Sequence, residues 1–332
     1  MSEYIAPVFP SSIPHGFVEL EEPIEFDAEQ HLALEFPDRI WKLQDLGYTA
    51  DEAAQCATDF AIASPARMLS DSGAQALLDV ARNLRTYTSS CDRVQNMVRG
   101  GVYRSRFLRD LCTSKQVTEF VSDIYGIAVA PHSMPSQLGH LNYTPTDINR
   151  AVDKWHHDTL ELDYVMMISD PSTLKGGEFQ FFLGTKAEAA DIAAAGETMP
   201  ADRVISPHFP SAGYFVPFHG SMVVHRGAKL EEHAERITMV NGYVPLTSTD
   251  YEANRFDDLR LVDPDDILIT EWARHKSWLA QNKLRLLNEQ LAFGKDVDQI
   301  TTAMKAAIKD VEDAISDIES AAPETMLHYG GD

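Results

Sequence analysis

Cysteine is scarce in this chain. Its 332 residues include three cysteines, Cys56, Cys91 and Cys112, and none of them belongs to a C-x-x-C pair. An odd and widely spaced set of thiols argues against a disulfide framework and against a thiolate zinc site. The cysteine content is therefore typical of a protein in a reducing compartment, and we expect a cytoplasmic location.

Long apolar runs are also missing. No run approaches the roughly 18 residues of a membrane-spanning helix, and the N-terminal stretch MSEYIAPVFPSSIPHG has no basic region followed by an apolar core. The sequence therefore predicts neither a membrane span nor a signal peptide.

Positive charge is in short supply, with 28 basic against 51 acidic side chains and a net charge of −23. Such a balance repels phosphate backbones and anionic lipids. We therefore expect no nucleic-acid or membrane partner and favour a small-molecule substrate.

The pattern of residues divides the chain into three sections. Residues 1–130 begin with a Pro-rich arm and continue as helices that we expect to pack on the core. Helical spacing starts at Thr49, which forms a capping box with Glu52, and recurs over 70–84 and 114–126. Gly126 is the expected C-cap of the third helix.

Residues 131–248 contain short apolar runs separated by Gly and Pro, a spacing that predicts a β-sandwich or barrel. The segment 185–213 interrupts these strands as a short helix and a loop, and we expect it to form a lid over the site.

Residues 249–332 are again predicted to be helical. Their clearest pattern is a stripe on one helix face, formed by Ile300, Met304, Ile308, Val311, Ile315 and Ile318. We expect the stripe to pack on its own domain. The alternative is a homodimer through the C-terminal helices.

A candidate metal site lies in the stretch DKWHHDTLELDYVMMI. Side chains alternate faces along a strand, so His156 and Asp158 point to one side and His157 to the other. His225 follows a second strand-like run, 67 residues after Asp158, and an antiparallel sheet can bring such a position beside His156.

Two imidazoles and one carboxylate on one face of an octahedron form the usual site of non-haem Fe(II) oxygenases. A zinc hydrolase would use a similar ligand set with a helical H-E-x-x-H motif. That motif is absent from the sequence.

Arg236 and Thr238 share a face of the next predicted strand, in ERITMVNGYV. A guanidinium beside a hydroxyl can hold a carboxylate through two hydrogen bonds. An arginine within an apolar strand also requires a buried anionic partner, which a dicarboxylate bound to the metal would supply.

Taken together, WHHD, GGEFQFF, HRG and RIT resemble the Fe(II)/2-oxoglutarate-dependent dioxygenases, nearest to the phytanoyl-CoA hydroxylase-like and prolyl-hydroxylase-like branches. The resemblance covers residues from about 130 to 248. It implies an α+β protein with a mainly β core, folded as a double-stranded β-helix (jelly roll) with helical sections on either side. It also implies Fe(II), 2-oxoglutarate and O2 as cofactor and cosubstrates.

The family's metal ligands map onto His156, Asp158 and His225, and its oxoglutarate-binding pair maps onto Arg236 and Thr238. The stretch LNYTP is similar to the Asn-Tyr-Tyr-Pro of plant-type members, which makes Asn142 and Tyr143 further candidates for cosubstrate contact. Asp158 stands where halogenating members have a small residue, so halogenation is not expected.

The resemblance implies oxidation of an unactivated C–H bond while 2-oxoglutarate and O2 become succinate and CO2. Hydroxylation is the default outcome, and desaturation, epoxidation or ring formation would use the same residues. Residues outside the core are expected to meet the substrate, and the candidates are His157, the basic cluster with Arg99, Arg104 and Arg106, and His208 and Tyr214 of the insertion. Two alternatives stay open: a cupin-like metalloenzyme that does not use 2-oxoglutarate, and a non-catalytic jelly-roll binding protein.

Overall fold

The computed structural model describes residues 7–246, 253–293, 296–320 and 326–330. The expected boundary at residue 248 lies outside these ranges. Two antiparallel β-sheets pack against each other, and helices cover the larger sheet and follow it in the chain.

The helices in the described ranges are α1 (Ala28–His31), α2 (Ala50–Ala53), α3 (Asp71–Leu84), α4 (Arg106–Cys112), α5 (Lys115–Tyr125), α6 (Lys186–Ala194), α7 (Phe256–Arg260), α8 (Asp265–Gln290) and α9 (Val297–Glu319). The strands in the same ranges are β1 (Ile40–Lys42), β2 (Phe60–Ala63), β3 (Ala66–Arg67), β4 (Met97–Val98), β5 (Val129–Pro131), β6 (His140–Tyr143), β7 (Asp153–His156), β8 (Leu162–Met167), β9 (Phe179–Phe182), β10 (Val204–Ile205), β11 (Tyr214–Phe218), β12 (His225–Gly227) and β13 (Ile237–Pro245).

The ends of two predicted helices are confirmed. The Ser70 hydroxyl accepts a hydrogen bond from the backbone N–H of Gly73 and begins α3. Gly126 ends α5 with a φ of +73°, a left-handed conformation that glycine adopts without steric cost.

The helix predicted from Thr49 onward is wrong beyond its first turn. The Thr49–Glu52 capping box forms, but α2 ends at Ala53 and the chain continues into β2. All four residues of β2 are buried. A short apolar run buried on both faces cannot be told from a helix by its periodicity.

The larger sheet has the strand order β1-β2-β11-β8-β13-β6-β4, with β3 paired to β11 and β5 paired to β13. The smaller sheet has the order β10-β9-β12-β7. The first 130 residues thus add strands β1 to β5 to the larger sheet, beyond the helices predicted there. The insertion contributes α6 and also β10.

A buried apolar cluster fills the space between the two sheets. It combines Val165, Val216 and Phe218 of the larger sheet with Phe179 and Phe181 of the smaller one. This packing fixes the separation of the sheets, and with it the distance between side chains that project from each sheet into the gap.

The apolar stripe of α9 packs on its own domain at its C-terminal end, where Ile318 packs against the cluster around Trp272. The expectation is wrong for the middle of the stripe. Met304, Ile308, Val311 and Ile315 are 42–54% exposed. The helix contacts α8 through a different face, where Ala307 and Ala314 are buried and Asp310 meets Lys283 at 2.9 Å. Small alanine side chains allow this close approach and leave the larger residues outside.

No helix within the described ranges is both long enough and apolar enough to cross a membrane.

Candidate metal centre

Three side chains from two strand ends converge between the sheets. In the ladder of β12 and β7, His225 is the register partner of His156. One Asp158 oxygen lies 3.1 Å from His156 Nε2, and the other lies 3.4 Å from His225 Nε2. Donor atoms about 2.1 Å from a metal and at right angles to each other lie about 3.0 Å apart. The three donor groups therefore fit one face of a metal's coordination sphere.

Hydrogen bonds orient both imidazoles for metal binding. His156 Nδ1 lies 2.6 Å from the carbonyl oxygen of Lys154, and His225 Nδ1 lies 3.0 Å from that of Val223. An Nδ1–H that donates to a backbone carbonyl leaves the Nε2 lone pair free. In both residues Nε2 is the atom that faces Asp158.

The electrostatics of the centre favour a carboxylate that stays ionised. Burial opposes the charge on Asp158, but the neighbouring imidazoles of His225 and His156 outweigh it and hold its pKa well below the ordinary value. Burial, with the charge of Arg93, lowers the pKa of His156. His225 experiences the same burial, yet the Asp158 carboxylate prevails and raises its pKa.

Gly220 lies directly beside the ligand Asp158, and its carbonyl oxygen accepts a hydrogen bond from the Asp158 backbone N–H. A Cβ at Gly220 would lie 2.6 Å from the buried carboxyl of Asp163 and 3.1 Å from Asp158 Cβ. Glycine is therefore required here. Burial and the nearby Asp158 raise the pKa of Asp163 well above its ordinary value.

Arg236 is buried, with 2% of its surface exposed. Its Nε donates to the Gly177 carbonyl at 2.6 Å, and its Nη1 donates to Thr238 Oγ1 at 3.3 Å. In the described parts of the chain no carboxylate lies within ion-pair distance, and burial lowers the pKa of Arg236 to about 10. The guanidinium is thus a charged group placed to receive an anion.

Gly177 belongs to the GGEFQFF stretch and has a φ of +75°. A Cβ at this position would lie 3.0 Å from Arg236 Cδ and 2.8 Å from Leu230 Cδ2. Glycine therefore allows the backbone to approach the arginine and to accept its hydrogen bond.

One cavity contains the triad and Arg236 together. Thr238, Asn142 and His140 line it from the larger sheet, and Arg93 and Arg99 also reach it. Further lining comes from the C-terminal section, through Asp258, Leu259, Val262 and Met326.

Asn142 and Tyr143 occupy opposite faces of β6. Asn142 is the register partner of Thr238, lines the cavity and has an Oδ1 without a hydrogen-bond partner among the described residues. Tyr143 points into the helical core, where its hydroxyl donates to the carbonyl of Ala81 at 2.7 Å. The expectation that Tyr143 reaches the cosubstrate fails because consecutive strand residues face opposite sides.

Arg104 and Arg106 do not reach the cavity, contrary to expectation. The Arg104 guanidinium lies over the rings of Phe17 and Tyr87 at 4.3 and 3.9 Å. Arg106 pairs with Glu19 at 2.8 Å near the surface. Arg99 does line the cavity, although its Nε and Nη2 donate to the Asp263 carboxylate at 2.7 and 2.6 Å.

The insertion 185–213 does not cover the triad. His208 is exposed, and Tyr214 lies on β11 as the register partner of Arg67. Neither residue lines the cavity, and none of its lining residues comes from 185–213. The expected lid is wrong because β10 lies at the edge of the smaller sheet and α6 packs with Trp155 of β7, which faces the opposite side from His156 and does not line the cavity.

His157 faces away from the triad, as strand alternation predicts. Its Nδ1 lies 2.6 Å from the Tyr329 hydroxyl and its Nε2 lies 3.2 Å from Arg255 Nη1. Burial lowers the pKa of His157 to about 3, so it is neutral. The Tyr329 N–H also donates to the carbonyl of Trp155 on β7. His157 therefore anchors the C-terminal segment rather than lining the cavity.

No protein-family model matches the chain, and no curated protein is significantly similar to it in sequence. Similar solved structures include SnoN, described as a non-haem alpha-ketoglutarate-dependent epimerase from nogalamycin biosynthesis. It is 16% identical with a TM-score of 0.38, over 54% of this chain and 74% of SnoN. HygX from Streptomyces hygroscopicus, solved with nickel and 2-oxoglutarate, is 12% identical with a TM-score of 0.37, over 53% of this chain and 79% of HygX.

A structure from work on prolyl 4-hydroxylases of Phytophthora capsici is 11% identical with a TM-score of 0.39, over 86% of this chain and 97% of that one. Members of the family that the sequence motifs resemble thus occur among the similar structures. All three TM-scores are below 0.5.

Proposed function

We propose that this protein is an Fe(II)/2-oxoglutarate-dependent oxygenase. The observation that carries the proposal is Arg236, a buried guanidinium with no carboxylate partner among the described residues, in the same cavity as a His-Asp-His triad. A metal that bound only water would not require this charge. A dicarboxylate that chelates the metal at one end and meets Arg236 at the other end accounts for both features.

The strand order supports a double-stranded β-helix. Along the chain, β6, β8, β11 and β13 belong to the larger sheet, while β7, β9, β10 and β12 belong to the smaller one. Repeated crossing between two facing sheets is the pattern of a jelly roll. This crossing between sheets accounts for the positions of the metal ligands, with His156 and Asp158 at the end of β7 and His225 at the start of β12.

The residues around the triad position the reactants and keep the site dry. Three protein ligands leave three adjacent coordination positions open. A ferrous ion held there would supply the oxidation chemistry, in which O2 and 2-oxoglutarate are converted to succinate and CO2. Arg236 and Thr238 bind the distal carboxylate. The rings of Phe179 and Phe218, 5.5 and 4.7 Å from that of His225, exclude water on one side.

The reaction proposed for this site is hydroxylation of an unactivated C–H bond in a small-molecule substrate. The cavity supports this because apolar side chains, among them Leu259, Val262 and Met326, line it together with polar and charged groups that could orient a small molecule.

Two alternatives make different predictions about Arg236. A cupin-like metalloenzyme without 2-oxoglutarate would not need a buried cation near the metal. A non-catalytic jelly-roll protein would not need the triad. Retention of both features in one cavity favours the oxygenase.

Succinate formation tests the proposal directly. The protein should be incubated with Fe(II), ascorbate, 2-oxoglutarate and O2, because slow uncoupled turnover should give succinate without added substrate. Arg236→Leu should lose this activity at moderate 2-oxoglutarate, whereas Arg104→Leu, outside the cavity, should retain it. Absence of succinate from the unaltered protein, or undiminished succinate from Arg236→Leu, would contradict the proposal.

We also propose that the protein forms a homodimer through the exposed stripe of α9. Lys305 and Glu312 flank the stripe on the same side of the helix. If two copies pack antiparallel about a point between Lys309 and Asp310, each Lys305 comes within about 3 Å, along the axis, of Glu312 in the second copy. Two such ion pairs would flank an apolar contact formed by Met304, Ile308, Val311 and Ile315.

A further inference from the structure

Two polar side chains occupy the wall of the cavity beyond the proposed oxoglutarate site. Arg236, Thr238 and Val240 are two residues apart along the chain and therefore face the same side of the sheet. In the neighbouring β6, Asn142 is the partner of Thr238 and His140 is the partner of Val240. His140 thus lies one step, roughly 7 Å, farther along the wall than Asn142.

Gln137 lies at the same end of the wall. A Cβ at Gly242, the next residue of β13 on the cavity face, would lie 3.2 Å from the Gln137 carbonyl oxygen and 2.9 Å from Leu160. Gln137, His140 and Leu160 all line the cavity. They form its far end, away from Arg236.

The end atoms of both polar side chains lack partners. Gln137 is 3% exposed, and neither its Nε2 nor His140 Nε2 makes a well-formed hydrogen bond among the described residues, although the Asn142 side chain lies near His140 on the same face of β6. Buried polar atoms are nearly always hydrogen-bonded, because removal from water without a partner costs stability. Two such atoms facing one cavity therefore indicate a ligand.

The charges near these atoms are already compensated. Arg99 is held by Asp263, and Arg93 lies 3.0 Å from Asp153. Burial, together with Arg99 and Arg93, lowers the pKa of His140 to about 3, so its imidazole is neutral. An ionised group of a ligand would find no free opposite charge here.

Apolar side chains also line the cavity. Met97 of β4 is the register partner of Asn142, and Val94, Leu259, Val262 and Met326 come from the segment before β4 and from the C-terminal section.

We propose that the substrate is an uncharged molecule with an apolar body, and that its hydroxyl or carbonyl oxygen binds between Gln137 and His140. This inference rests on the proposed function. The Gln137 amide donates to the oxygen. The neutral His140 imidazole completes the pair, because its Nε2 can accept from a hydroxyl or donate to a carbonyl. The aliphatic side chains hold the rest of the molecule.

Four probes that share one ring separate the possible ligand classes: cyclohexanol, cyclohexanone, cyclohexanecarboxylate and cyclohexylamine. Their binding to the full chain loaded with Ni(II) and 2-oxoglutarate is measured by calorimetry without O2. The alcohol and the ketone should bind at least about tenfold more tightly than the acid and the amine, because burial of an unpaired charge is costly.

Variants of Gln137 and His140 test whether these two residues cause the preference for the alcohol and the ketone. Gln137→Leu and His140→Phe should each weaken binding of cyclohexanol about five- to tenfold, the usual effect of one lost hydrogen bond. Gln116→Leu, at an exposed position of α5, is the control and should bind cyclohexanol normally. Gln137→Glu keeps the size of the side chain and should shift the preference toward cyclohexylamine.

Several outcomes would overturn the inference. These are tightest binding of the acid or the amine, no detectable binding of cyclohexanol, or normal cyclohexanol binding by both Gln137→Leu and His140→Phe. A 2-oxoglutarate titration of the same Ni(II)-loaded samples separates the two proposals. If 2-oxoglutarate fails to bind, the proposed function is wrong. If 2-oxoglutarate binds but the cyclohexyl probes give one of the overturning outcomes above, the inference alone is wrong.

Discussion

Replacement of Gly177 by alanine should weaken the binding of 2-oxoglutarate without removing any group that contacts it. The added Cβ would lie 3.0 Å from Arg236 Cδ and 3.3 Å from its Nε. At these distances the arginine must shift by a few tenths of an ångström, which also strains its 2.6 Å hydrogen bond to the Gly177 carbonyl. The Arg236 guanidinium would then be displaced from its position opposite the distal carboxylate of 2-oxoglutarate.

Gly196 provides a matched control for the backbone effect. Its φ of +71° is close to the +75° of Gly177, but nothing lies within 4 Å of an added Cβ. Alanine in a left-handed conformation costs about 1 kcal/mol, so both variants should lose about that much unfolding free energy. The contacts with Arg236 and Leu230 add to this loss in Gly177→Ala alone.

The affinity for 2-oxoglutarate should separate the two variants. A hydrogen bond to a charged group contributes about 1.5–3 kcal/mol, so partial loss of the arginine contact should weaken binding by about tenfold in Gly177→Ala. Gly196→Ala should bind as the unaltered protein does. Calorimetric titration of the Ni(II)-loaded proteins measures both. Equal affinities for the two variants would refute the role assigned to Gly177.

Three further predictions concern other parts of the molecule. Tyr329→Phe removes the hydroxyl bonded to His157, the residue between the ligands His156 and Asp158, and should weaken Ni(II) binding severalfold in a chelator competition. Tyr87→Phe, at an exposed position, should leave Ni(II) binding unchanged. Equal weakening in the two variants would contradict the anchoring role of Tyr329. Ile308→Glu should convert a dimer to a monomer in sedimentation experiments, and an unaltered protein that is already monomeric would disprove the dimer. Burial lowers the pKa of His219 to about 3, below its ordinary 6.5, so at acidic pH the unfolded chain binds a proton that the folded chain does not. This group should therefore remove about 2 kcal/mol of unfolding free energy between pH 6.5 and pH 5. Urea unfolding of the metal-free protein at both pH values should show a smaller loss in His219→Gln, and an identical loss would contradict the prediction.

Strand alternation accounts for most of what the sequence predicts about the site. It places His156 with Asp158, turns His157 away and puts Arg236 beside Thr238. The pairing of β12 with β7, which brings His225 to His156, does not follow from alternation. It required the resemblance to a known family, because strand order depends on packing between segments that are distant in the chain.

The same rule explains one error and one omission. It places Asn142 and Tyr143 on opposite faces, so they cannot both reach one cavity. It also places His140 on the same face as Asn142, a signal that was present in LGHLNYTP and identifies His140 as a lining residue.

Other features leave no local signal. Tyr329 meets His157 across 172 residues, and its flanking sequence has no periodicity that predicts the contact. In α9 the apolar stripe was easy to detect, but the helix packs through Ala307 and Ala314. The sequence alone does not specify which of two adjacent helix faces is covered.

The most direct test of the central claim is an anaerobic titration of the Fe(II)-loaded protein with 2-oxoglutarate, followed by visible absorption. We expect a weak metal-to-ligand charge-transfer band that saturates with 2-oxoglutarate. In Arg236→Ala the band should require much higher concentrations of 2-oxoglutarate, and in His225→Ala it should be absent. If the unaltered protein gives no such band, or if Arg236→Ala gives it at the same concentrations, the cavity does not bind a metal-chelated dicarboxylate.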